Sequence, residues 1–87
     1  MLWLRGRRLR AQFAAEMLVI HLATHASTPD ERRESTMLHL EQELGWAPAI
    51  AKRNVGFAEQ RGWVNYQDGL LQLTGEGRAR AELVSER

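Results

Sequence analysis

Trp63-Val-Asn-Tyr-Gln-Asp-Gly-Leu-Leu-Gln-Leu-Thr-Gly-Glu-Gly-Arg78 is the stretch that decides the fold of this chain. Two apolar-aromatic runs flank Asp68-Gly69. A tight primed turn needs positive φ at its central residues, and glycine supplies it without a Cβ clash, so the stretch reads as a two-strand hairpin. Side chains alternate along a strand, which places Leu71 and Leu73 on one face of the return strand. Thr74 then stands as the N-cap of a new helix running through Ala79, Leu83 and Val84. Gly75 and Gly77 belong to this strand-to-helix junction.

Three helical stretches precede the hairpin. Trp46-Ala-Pro-Ala49 is a turn that starts a helix ending at Arg61-Gly62; Pro48 is tolerated because the first helical amides have no intrahelical partner. Ala51, Val55 and Ala58 face inward, whereas Lys52, Arg53 and Asn54 face outward. Gly56 in mid-helix costs about 1 kcal/mol relative to alanine and suggests a close helix crossing or a soft element. Ahead of that turn, Met37, Leu40 and Leu44 form the buried stripe of another helix, closed by Gly45. Its start is expected near Thr28, with Thr28 as N-cap, Pro29 at the first position and Glu31 completing a capping box. The polar turns from Asp30 to Ser35 then project beyond the core or form a loop. Leu9 to Thr24 makes the first helix, with Phe13, Met17, Ile20 and Thr24 on one stripe and Ala14, Leu18 and Leu22 widening it into the face of a central helix. The expected fold class is mainly α with a small β-hairpin: a winged helix-turn-helix with a three-helix core, a two-stranded wing and a C-terminal helix. Residues 1–10 form a basic N-terminal arm or juxtamembrane segment and residues 11–87 the domain.

Composition narrows the function. Eighty-seven residues make one small domain with no room for a sensor domain besides. With no cysteine, stability comes from packing rather than disulfides, which fits the reducing cytoplasm. No run approaches the roughly 20 apolar residues of a membrane span. The net charge of +1 conceals an asymmetry. Arg5, Arg7, Arg8 and Arg10 all fall in the first ten residues; without them eight basic residues face 11 acidic ones, so the body carries about −3. Phosphate contacts supply most non-specific affinity for nucleic acid, so such a body must gather its positive charge on one face to bind DNA.

Met37 to Leu44, Gly45, the turn at Trp46-Ala-Pro, the helix to Arg61, Gly62-Trp-Val64 and Leu73-Thr-Gly-Glu-Gly-Arg78 resemble the helix-turn-helix and wing of winged-helix regulators. The nearest likeness is to the DNA-binding domain of the diphtheria-toxin-repressor family of metal-dependent regulators, over about residues 13 to 84. The resemblance implies that Lys52, Arg53 and Asn54 enter the major groove, where arginine can fork to guanine, asparagine to adenine and lysine can hold a phosphate. The arm residues Arg5, Arg7 and Arg8 would touch DNA phosphates, and a homodimer would read paired half-sites through contacts of the first or last helix. Three features depart from the family pattern. The wing from Asn65 to Gly69 has no Lys or Arg, Glu41 stands where the family carries a small residue, and the metal-sensing domain that would follow is absent. Glu41 and Glu43 add repulsion beside any DNA.

Other chemistry is sparse. His21 and His25 stand four apart on a helix, a spacing that lets two imidazoles reach one ion, but two ligands do not make a site. No metal or other cofactor is expected, His21 and His25 being the candidates should a metal bind; His39 has no spacing rule to bring it to them. Ser27, Thr28, Ser35, Ser85 and the histidines show no nucleophile-elbow or triad pattern, no glycine-rich phosphate loop follows a strand, and Glu41 and Glu43 diverge. An enzyme acting on a small-molecule substrate is not expected. Trp63 packs the wing onto the helices and Trp46 the turn. Trp3, in Met1-Leu-Trp-Leu4 ahead of the arginines, looks like the cytoplasmic end of a membrane helix followed by a positive-inside cluster.

Two functions follow from the sequence. The first is a DNA-binding module of a transcriptional regulator, its third helix in the major groove of double-stranded DNA. The alternative is a cytosolic regulatory or protein-contact tail at the cytoplasmic face of the inner membrane, since some metal-ion ABC permeases are similar in carrying a repressor-like winged helix after their last span. In that case apolar spans lie upstream of Met1, and the partner is a membrane-protein subunit or another protein.

Overall fold

Asp68 and Gly69 both adopt positive φ, 54° and 76°, and join two antiparallel strands, β1 (Val64–Gln67) and β2 (Leu70–Leu73). The register pairs Val64 with Leu73 and Tyr66 with Leu71, so these four share a face, and Val64 and Leu71 are the two wholly buried on it. The two-residue loop is the one that Asp-Gly favours, because its backbone twist matches that of the strands it joins. The computed structural model describes residues 2–26 and 36–86. Within them lie four helices: α1 (Leu2–His25), α2 (Met37–Leu44), α3 (Pro48–Gln60) and α4 (Gly75–Ser85). The molecule is therefore mainly helical with a two-strand hairpin. Thr36 forms an isolated antiparallel bridge with Leu70, tying the start of α2 to β2.

Local chemistry sets most helix ends. Thr36 caps α2 by accepting from the His39 amide at 3.2 Å, and Gly45, at φ 67°, closes it by donating its amide to the Glu41 carbonyl. Glycine takes this left-handed conformation without steric cost. Pro48 opens α3 as expected, and Thr74 caps α4 by accepting from the Gly77 amide at 3.0 Å. The expected start of the second helix at Thr28, Pro29 and Glu31 lies outside the described residues.

The core gathers Ala15, Leu18, Val19 and Leu22 of α1, Leu40 of α2, Val55 and Ala58 of α3, Trp63, Val64, Leu71 and Ala81. α1 lies at the centre, against α3 and α4. Trp63 ties the hairpin to its surroundings. Its amide donates to the Ala58 carbonyl at 2.9 Å, its carbonyl accepts from the Thr74 amide at 3.0 Å, and its ring meets Phe57 edge to face.

Four expectations are corrected. α1 begins at Leu2 rather than Leu9, so the first ten residues are largely helical and continuous with it. Its buried face is also rotated from the one expected. Phe13 and Met17 are 64% and 39% exposed and Thr24 is exposed, while Ala15 and Val19 are fully buried. The partners of α1 decide this, since α3 and α4 meet the Ala15-Leu18-Val19-Leu22 face and leave the larger side chains outside. In α4 the inward residues are Gly77 and Ala81, whereas Leu83 is 51% exposed. Gly56 marks no close crossing, because a Cβ there would meet nothing within 4 Å.

Candidate functional site

α3 carries two of its three expected groove residues outward. Lys52 and Arg53 are exposed, but Asn54 is 2% exposed and belongs to the interior. The cause is helix geometry. Ala51, Asn54, Val55 and Ala58 are spaced three, one and three apart, which places all four on one face, and that face packs inward. Asn54 is therefore not available to a base edge, and the α3 surface offers two cations rather than a cation-amide set. Arg5, Arg7 and Arg8 lie on the first turns of α1, and their side chains are outside the described residues.

The accessible side chains of α2 and the hairpin end add acidic and polar groups. Glu41 is half-buried and Glu43 exposed on α2, while Asn65, Gln67, Asp68 and Gly69 at the hairpin end are exposed and include no cation. Arg61 at the end of α3 is turned back onto its own helix, its guanidinium 5.0 Å from the Phe57 ring. Arg80 faces inward, with its guanidinium 5.0 Å from the Trp63 ring and Nη1 donating to Glu16 Oε2 at 3.4 Å. Glu16 is 4% exposed, so this ion pair joins α1 to α4 inside the molecule. A carboxylate so deeply buried requires a partner. The sequence reading missed the pair, since 64 residues separate its members and no spacing signal spans such a gap.

The histidines are closer together than the sequence suggested. The His21 and His25 rings, four apart on α1, are 4.8 Å between centroids. His39, on the first turn of α2, lies stacked 6.0 Å from His21, and its Nε2 is 3.4 Å from Glu43 Oε1. His39 is buried, and His21 and His25 are half-buried. Helix spacing anticipated the first two; His39, on a different helix, joins them only through the tertiary fold. Among the described residues, no three His, Asp or Glu side chains are arranged, as they stand, to hold a metal ion. Separately, a shallow groove of about 360 Å³ runs between the end of α1 and α4, floored by Ile20, Ala23 and Ala81 with Arg78 and Glu82 at its rim.

No helix among the described residues is long and apolar enough to cross a membrane. Compared with known proteins, the chain is 35% identical over 71 residues to the zinc transport system membrane protein TroD of Treponema pallidum (strain Nichols). That stretch is 82% of this chain but 19% of the transport protein, so the chain spans about a fifth of its relative's length. No protein-family profile matches the chain, and no solved structure matches it significantly.

Proposed function

We propose that this chain is a winged-helix domain serving as a cytosolic regulatory or protein-contact tail of a metal-ion ABC transporter permease. The observation that carries this reading is the 35% identity to a zinc transport membrane protein over most of the chain. Helix-turn-helix α2-α3, the hairpin as wing and the bridge from Thr36 to Leu70 support the winged-helix part. The surface supports the rest. With Asn54 buried, a hairpin end without Lys or Arg and an acidic body, the helix expected in the groove offers DNA Lys52 and Arg53 without the amide that would read a base edge. A tail needs no such surface. It acts by presenting its faces to the transporter's other parts or to a partner, and the exposed Leu9, Phe13 and Leu38 are suited to that.

A DNA-binding regulator remains the second reading, favoured by the exposure of Lys52 and Arg53 on one turn of the helix that such proteins place in the groove. The coding sequence upstream of the Met1 codon separates the two. The permease reading expects several in-frame apolar spans there, and an in-frame stop codon immediately upstream would overturn it.

A further inference from the structure

The stripe that spacing alone marks on α1, Phe13, Met17, Ile20 and Thr24 with Leu9 one turn before, is not covered by this domain. Leu9 and Phe13 are 64% exposed, Met17 is 39% exposed and Thr24 is exposed, while the core takes the opposite face at Ala15, Leu18, Val19 and Leu22. We propose that this outer stripe is the contact face for a second copy of the chain, whose α1 lies antiparallel across it. Intervals of four, four, three and four are those of a helix that packs along another helix. The stripe changes character along its length. Leu9 and Phe13 stand out from the front half, whereas Ile20 and Thr24 line the groove between α1 and α4, with Ala23 and Ala81 on its floor. A two-fold axis at the level of Ala15 sets the exposed front half of each α1 over the groove of the other copy, with Leu9 of one beside Ile20 of the other. The same contact is then made twice and closes on itself.

Charge selects the occupant and its direction. The first fifteen residues hold four arginines and no Asp or Glu, and Arg10 is exposed beside Leu9. The groove end has the opposite sign: the C-terminal ends of α1 and α4 meet there, Glu82 stands at the rim, the exposed Glu86 follows, and the last turn of α4 holds no cation. Helix C-termini carry partial negative charge and favour arginine. Arg78 is the cation among the described lining residues, outweighed by the two glutamates and two helix ends. Antiparallel pairing brings the arginine-rich half of each copy to this end of the other, while parallel pairing would set arginines against arginines. An anionic lipid surface would suit the arginines but not the acidic groove end on the same stripe. The second copy thus fills a face that the permease reading leaves open, and its pairing does not rest on that reading.

One helix and one groove make a small interface, so the dimer is expected at roughly 100 µM and above and the monomer at dilute concentration. Sedimentation equilibrium of the 87-residue chain over a concentration series should show a reversible rise toward twice the monomer mass. Phe13→Glu, at an exposed site, should abolish the rise and keep the circular dichroism spectrum of the original chain. Arg10→Glu and Glu82→Lys should each weaken association by roughly threefold or more, since two symmetric rim pairs are lost. The two exchanges in one chain should restore it, because each altered residue then meets its altered counterpart across the two-fold. Monomer mass at every concentration would overturn the proposal, and sedimentation with phosphatidylserine vesicles would then identify a lipid surface as the occupant. A dimer that Phe13→Glu leaves intact, or that the double exchange fails to restore, would also overturn it. None of these outcomes bears on the coding sequence upstream of Met1, which tests the permease reading.

Discussion

The junction between the hairpin and α4 differs sharply from the first half of α1. At the junction the tertiary contacts are specific: the Thr74 hydroxyl donates to the Gly62 carbonyl and accepts from the Gly77 amide, and Arg80 covers Trp63 and reaches Glu16. In α1 before Ala15, Leu9 and Phe13 are each 64% exposed and no residue with a described side chain is fully buried. One region is held by dense tertiary contacts, the other by helix propensity and continuity with the buried half. Stability should therefore reside in the junction and the back half of α1, and the front half should tolerate change.

Gly77 should break the comparison most severely. A Cβ there would overlap the Trp63 carbonyl oxygen and lie 2.8 Å from its carbon, so Gly77→Ala should destabilise by more than about 3 kcal/mol in urea unfolding. The sign is informative, because alanine in a helix is ordinarily favoured over glycine by about 1 kcal/mol. Within α1, Leu18→Ala should cost about 3 kcal/mol, from a wholly buried side chain, and Phe13→Ala less than about 0.5 kcal/mol. Similar losses at the two positions would mean that the first half of α1 is covered in solution. Thr74→Ala removes both hydroxyl contacts at the junction and should cost about 1 to 2 kcal/mol. One change should have the opposite sign: Gly56→Ala, with open space around the added methyl, should gain about 0.5 to 1 kcal/mol.

The same contrast explains what was legible in the sequence. The hairpin, its Asp68-Gly69 turn, the Thr74 cap, Gly45 and Pro48 were all readable because each is written by residues within a few positions of one another. The phase of α1 was not. Phe13 and Met17 are larger than Ala15, yet α3 and α4 pack against the face of Ala15, Leu18, Val19 and Leu22, a choice made by tertiary partners. Asn54 was misplaced for a related reason, since three consecutive polar residues on a helix cannot all lie on one side. The histidine cluster was half legible: four-residue spacing joins His21 to His25, but His39 arrives only through tertiary packing. The Glu16 and Arg80 pair left no sequence signal at all.

Whether the α3 surface reads DNA is the question on which the functional account depends, and fluorescence anisotropy with mixed-sequence duplex DNA across a salt series addresses it directly. A protein-contact tail should show no binding, or weak low-salt binding that survives replacement of Lys52 and Arg53 by alanine. Affinity that falls linearly with log salt and is lost in the Lys52→Ala, Arg53→Ala double variant would contradict the account and establish a groove reader.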